Sequence, residues 1–130
     1  FKNSKFILTI RDDAEQWWQS LTRFHSKLFG NGHLPTIDNL KTANYIYPGY
    51  IYKSFRFFFN TPIDDPYNKD ILINDYTTYN KVIKEYFRHR PSDLLVLNVS
   101  STDAYPKLCK FLKIPWNNKE FPHENKTDDI

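Results

Sequence analysis

Two short apolar runs constrain the fold more than any other feature of this chain. The first is Lys5–Ile10, KFILTI, and the second is Leu94-Leu95-Val96-Leu97 within Asp93–Val99. Each is largely apolar, and its length favours a strand over the competing reading of a buried helical piece. Such continuity suits strands covered on both faces, as in a parallel sheet. Each run is followed by a polar corner and then by apolar residues at helical spacing. After the first, Asp13 is placed to cap a helix and Gln16 to complete a capping box. Trp17, Leu21, Phe24 and Leu28 form its core-facing stripe, and Gly30 is its expected C-cap. After the second, Ala104 to Leu112 predicts a helix with Leu108 and Leu112 inward and Cys109 beside them, stopped by Pro115. A further helix is expected over Asp75–His89, with Tyr79, Val82, Ile83, Tyr86 and Phe87 as its apolar stripe and Pro91 as its stop. The pattern predicts an α/β fold. Two strands alone make a poor sheet, so the fold is expected to take further strands from outside this sequence. Phe1, standing just before a strand with no starting methionine, is read as a sign of an excerpt of a longer protein or of a processed one.

Residues 36–75 have no clean period. Tyr45, Tyr47, Tyr50, Tyr52, Phe55, Phe57, Phe58 and Phe59 crowd together there, ahead of a loop around Pro62, Asp64, Asp65 and Pro66. One helix or two short ones are expected. Two roles stay open for the aromatics: lining a groove for an apolar substrate, or packing a lid against the domain. Tyr45, Tyr50, Phe55 and Phe58 are the candidates for the groove. The tail from Trp116 is expected to be irregular.

Composition narrows the function classes. The net charge of +3 is spread as +2, −1 and +2 over residues 1–35, 36–80 and 81–130. No segment has the unbroken basic run of a protein that tracks a nucleic-acid backbone. The single cysteine allows no internal disulfide and no thiolate metal cluster. His25, His33, His89 and His123 are scattered without ligand spacing, so no metal site is expected. No apolar run approaches membrane-spanning length. Of the sequons Asn98-Val99-Ser100 and Asn125-Lys126-Thr127, the first ends a buried strand and is a poor glycan acceptor. Arg88, His89 and Arg90 follow a helix, where positive charge is favourable. Asp64, Asp65 and Asp70 read as loop carboxylates.

Arg11 is the residue that points to chemistry. It stands at the carboxyl end of a strand, where open α/β sheets place their ligands. A guanidinium there can make paired, charge-assisted bonds to phosphate oxygens. The helix that follows offers unpaired N–H groups and a partial positive charge. Ser20, in the second turn, carries a hydroxyl that can serve the same anion. The competing reading pairs Arg11 with Asp12 or Asp13 and leaves Ser20 solvated.

The stretch Lys5–Ser20, KFILTIRDDAEQWWQS, resembles the segment of sulfotransferases that binds the donor's 3′-phosphate. Three further stretches are similar to the same P-loop-like family, in its order: Tyr79-Asn80 with its basic helix, the run from Leu94 through Tyr105 and Leu112 to Pro115, and Phe121–Asn125. Together they cover about half the chain. The resemblance implies a partial P-loop-like three-layer sandwich with parallel strands and a helical aromatic insert. It implies transfer of a sulfuryl group from 3′-phosphoadenosine 5′-phosphosulfate to a hydroxyl or amine of a small organic acceptor. Arg11 and Ser20 then correspond to the family's arginine and serine that grip the 3′-phosphate, a contact that positions the donor and does not perform the transfer.

There are departures. The interval from Arg11 to Ser20 is one residue longer than in many members, which turns a helical position by about 100° unless the corner absorbs it. The family's glycine-rich loop has no counterpart: Gly30-Asn31-Gly32-His33 lacks the Ser/Thr, the cation and the preceding strand. The resemblance thus implies that residues 1–130 are the carboxyl-terminal portion of a single sulfotransferase-like domain. That loop and the general base are expected in the remaining amino-terminal part of the same protein, the partner this segment needs for catalysis. No metal, nucleic acid or membrane partner is expected, and the location is expected to be cytoplasmic. The rival reading is a non-catalytic α/β protein-interaction module whose aromatic insert docks on a partner.

Overall fold

The computed structural model describes residues 3–121. These form two compact units, residues 3–17 with 77–121 and residues 18–76.

The first unit is built on two parallel strands, β1 (Phe6–Ile10) and β4 (Leu94–Asn98). They pair in register from Phe6 opposite Leu94 to Ile10 opposite Asn98. Both apolar runs are therefore strands, as their length predicts. Contrary to expectation, β1 is not covered on both faces among the described residues. The pleat puts Phe6, Leu8 and Ile10 on one face and Ile7 and Thr9 on the other. Leu8 is buried and Phe6, at the start of the strand, is 36% exposed beside the Phe87 ring, whereas Ile7 and Thr9 are both exposed. Leu8 and Leu97 share the core with Phe87, Ala104 and Cys109.

Helix α5 (Ala104–Leu112) has the predicted bounds. Its buried residues are Ala104 and Cys109; Leu108 is half-buried and Leu112 lies 43% exposed, so the inward face is turned from the predicted one. Cys109 is a buried free thiol, the structural role its apolar neighbours suggest. The strand edge is pinned by Lys5, whose ammonium donates to the Ser92 carbonyl at 3.0 Å and sits over the Phe111 ring. Arg90, just past the end of the preceding helix, stacks over Phe87, Tyr86 and Phe6 at 4.6, 5.1 and 5.9 Å. It thus takes an aromatic role beyond countering the helix dipole.

That helix, α4, spans Lys69–Tyr86, six residues earlier at its start than predicted. Asn68 is the reason: its side-chain oxygen accepts from the Ile71 N–H at 3.0 Å and its carbonyl from the Leu72 N–H at 3.0 Å. In the first unit the predicted stripe is largely exposed, with Tyr79, Val82 and Tyr86 at 61%, 59% and 69%. Only Phe87 of that stripe is fully buried.

The second unit contains most of α1 (Ala14–Phe29), then α2 (Ile37–Thr42), a hairpin of β2 (Asn44–Tyr45) and β3 (Tyr47–Pro48), α3 (Tyr50–Phe58) and the start of α4. The two short helices were expected; the hairpin was not. Ile46 turns it at φ 65°, and Gly49 at φ 81° leads into α3, a conformation open to glycine without cost. Thr36 and Asn39 cap α2 reciprocally. Gly30 closes α1 as expected, but through close approach rather than positive φ: a Cβ there would lie 1.7 Å from the His33 carbonyl oxygen.

The core of this unit is Leu40, Ile51, Phe55, Tyr67 and Leu72. Against it α1 turns Trp18, Thr22 and His25; of the predicted stripe, Leu21 and Phe24 are half-buried and Leu28 is 37% exposed. Polar bonds fix the three residues that apolar spacing did not single out. The Trp18 indole donates to the Tyr67 carbonyl at 3.1 Å, and the Thr22 hydroxyl bonds back to the Trp18 carbonyl at 2.9 Å. His25 Nδ1 lies 2.7 Å from the Tyr67 hydroxyl, with Phe29 and Phe55 rings around the imidazole.

Candidate functional site

The carboxyl ends of β1 and β4 open into a cavity of about 480 Å³ within the first unit. Its wall is made by Arg11, residues 99–102, Glu120 and Phe121. Arg11 is carried by the corner after β1, and Ser100, Ser101 and Thr102 by the turn after β4. The parallel pairing brings those two corners side by side, because both strands end at the same edge.

Hydrogen bonds weave the corners together. The Val99 N–H donates to the Ile10 carbonyl at 3.2 Å, extending the ladder one step beyond the strands. Asn98 bridges them: its amide donates to Asp12 Oδ1 at 2.7 Å, and its oxygen accepts from the Ser100 N–H at 2.9 Å. Arg11 Nη1 donates to Ser100 Oγ at 3.2 Å. The Ser100 hydroxyl lies 3.4 Å from Gln16 Oε1, which also accepts from the Asp12 N–H at 2.7 Å. Asp13 Oδ1 accepts from the Gln16 N–H at 2.7 Å. The predicted capping pair is thus present in modified form, with Gln16 reaching back to Asp12 rather than Asp13.

Asp13 accepts from the start of the helix and Asp12 from Asn98, and Arg11 lines the cavity. The Asn98 side chain is bonded at both ends. Beyond the cavity, the Ser101 hydroxyl donates to Asp103, and Lys107 pairs with the same carboxylate at 2.9 Å. Those two contacts, the serine's first, hold the Asp103 carboxyl below its usual range.

Ser20 lies half-buried in the second turn of α1, in the second unit. The four candidate aromatics also belong to that unit, and they differ. Phe55 is 4% exposed and packs on Tyr67, Phe59 and His25 in the core, closed to a ligand by its own neighbours. Tyr45 and Phe58 are open at 45% and 68%, and Tyr50 is half-buried against the Tyr45 and Tyr47 rings. A separate cleft of about 450 Å³ in this unit is lined by Leu34, Ile63, Asp64, Asp65 and Tyr67 among others.

The hydroxyl-bearing turn at Ser100–Thr102 and Glu120 were missed by sequence reasoning. The available signal was the run of three hydroxyl residues directly after a buried strand, the same strand-end logic that singled out Arg11. His123 and the Asn125–Thr127 sequon, with most of the Phe121–Asn125 stretch, lie outside the described residues. Among the described residues no group of three or more His, Cys, Asp or Glu could hold a metal ion, and no helix is long and apolar enough to cross a membrane.

A strand-end arginine opposite a hydroxyl turn is an arrangement many nucleotide-binding proteins could share. Comparison with protein families decides among them: a family model described as a sulfotransferase domain matches residues 1–130. The chain belongs to this family. Searches of curated proteins and of solved structures gave no match.

Proposed function

We propose that this chain takes part in sulfuryl transfer from 3′-phosphoadenosine 5′-phosphosulfate to a hydroxyl or amine of a small organic acceptor, and that it supplies contacts to the donor's 3′-phosphate. The observation that carries the reading is Arg11 in the wall of the strand-end cavity, facing the hydroxyl turn. The residues fit the group in kind. A phosphate needs a cation and hydrogen-bond donors: Arg11 is the cation, and its own N–H groups with the Thr102 hydroxyl are donors in the cavity wall. Glu120 in the same wall repels an anion, so the phosphate belongs on the Arg11 side and a neutral hydroxyl or amino group near the carboxylate. Ser20 enters as a second phosphate contact through the family resemblance of the Lys5–Ser20 stretch alone.

When bound, the donor supplies the activated sulfuryl group. The part of this chain is binding and orientation, which such transfers need for in-line attack. The general base and the glycine-rich loop are assigned to an amino-terminal part of the same domain, whose strands would extend the sheet and whose helices would cover the open face of β1, completing a three-layer P-loop-like sandwich. Tyr45, Tyr50 and Phe58 are proposed to contact the acceptor; Phe55 supports them from the core. A cytoplasmic location accompanies this reading.

The test is binding of adenosine 3′,5′-bisphosphate against adenosine 5′-monophosphate by titration calorimetry on the full-length protein. The bisphosphate should bind much more tightly, and Arg11→Ala should cut that preference at least about tenfold, since a charge-assisted bond contributes about 1.5–3 kcal/mol. Equal affinities would refute the reading. They would favour a protein-interaction module instead, for which the exposed Ile46, Phe57 and Phe58, at 73%, 83% and 68%, are the specific observation.

A further inference from the structure

We infer that Ser100 is a positioning residue for Arg11: it holds the guanidinium at the cavity mouth before any ligand arrives, and so helps set the preference for a 3′-phosphorylated nucleotide. The inference rests on the donor reading above and adds to it a residue outside the stretch that carries the family resemblance to the phosphate grip.

The polarity of the bonds is the argument. A serine hydroxyl has one proton to give and lone pairs to receive with. Gln16 Oε1 can only accept, and it is fixed by the Asp12 N–H at 2.7 Å. With Gln16 at 3.4 Å, the Ser100 proton is directed that way. Its lone pairs are then left for Arg11 Nη1, at 3.2 Å, which can only donate. The serine backbone is anchored independently, through its N–H to Asn98 Oδ1 at 2.9 Å, while Asn98 holds Asp12 at 2.7 Å. Both corners are therefore fixed before Ser100 touches Arg11. An arginine side chain has large rotamer freedom, and ordering it in advance lowers the entropy lost on binding. Ser100 is itself exposed, so its hydroxyl has no packing role that would account for the arrangement.

Ser100→Ala removes the hydroxyl that accepts from Arg11 Nη1 and leaves the backbone anchor intact. In the full-length protein it should lower the affinity ratio of adenosine 3′,5′-bisphosphate to adenosine 5′-monophosphate about fivefold, with monophosphate affinity unchanged. Ser100→Thr, which keeps the hydroxyl, should restore the ratio. A ratio within about twofold of wild type in Ser100→Ala would overturn the inference while leaving the donor reading standing. A parallel fall in both affinities would also overturn it, because that marks a merely structural role. A wild-type ratio near one, or one that Arg11→Ala does not move, would sink the donor reading and this inference with it. Should Ser100→Ala fail to fold, nuclear spin relaxation of the Arg11 Nε–H group in the unliganded wild type decides the matter. An order parameter above about 0.6 is expected, and a lower one refutes a pre-positioned guanidinium.

Discussion

Lowering the pH from about 7.5 to about 5 should remove about 2 kcal/mol of folding free energy through one residue, His25. Burial among Phe29, Phe55 and Tyr67 lowers its pKa from 6.5 to about 4, because the cation loses its water. The 2.7 Å contact with the Tyr67 hydroxyl satisfies the neutral ring. Burial also raises the Tyr67 pKa, so the pair is uncharged across the physiological range. In the unfolded chain the imidazole titrates at its ordinary value. Between the two pKa values the unfolded state binds more protons, so stability is complete above about pH 6.5 and falls as the pH drops toward about 4. The full difference approaches about 3 kcal/mol. The assay is urea unfolding at both pH values, for wild type and for His25→Gln, which keeps hydrogen-bonding capacity but does not titrate. Carboxylates and the other histidines contribute equally to both proteins and cancel in the comparison. Wild type should lose about 2 kcal/mol more than the variant over the interval. Equal losses, or a His25 pKa near 6.5 by proton NMR, would refute the claim that this side chain is buried neutral.

Two further outcomes test the fold. Gly30→Ala should destabilise by about 1–3 kcal/mol or more, seen as a lower thermal midpoint, since the new methyl meets the fixed His33 carbonyl rather than a side chain that can swing away. Asn68→Ala should cost about 1 kcal/mol and fray the first turn of α4, which circular dichroism and amide exchange at Ile71 would report.

How legible the molecule was depends on the kind of interaction. Helix α5 was readable to the residue because Ala104 to Leu112 lies between a polar turn and Pro115, and local signals suffice there. The start of α4 was not, because Asn68 competes with other turn residues in a Pro- and Asp-rich loop, and only its bonds to Ile71 and Leu72 single it out. On α1, apolar spacing pointed to Leu28, which is 37% exposed, and passed over Trp18 and His25, whose polar partners on Tyr67 lie more than forty residues away. At the candidate site Arg11 was visible as a charge ending an apolar run, and Ser100 was not.

The order of residues alone determined the two strands, the helices that follow them and the arginine at the first strand's end, since short-range periodicity and capping act within a few positions. Tertiary pairing decided what that arginine meets. Parallel alignment of β1 with β4 brings residues nearly ninety positions apart to one edge, and so makes a wall of Arg11 and the Ser100 turn. A hydrogen bond needs two groups within about 3 Å, and distance along the chain carries no information about that.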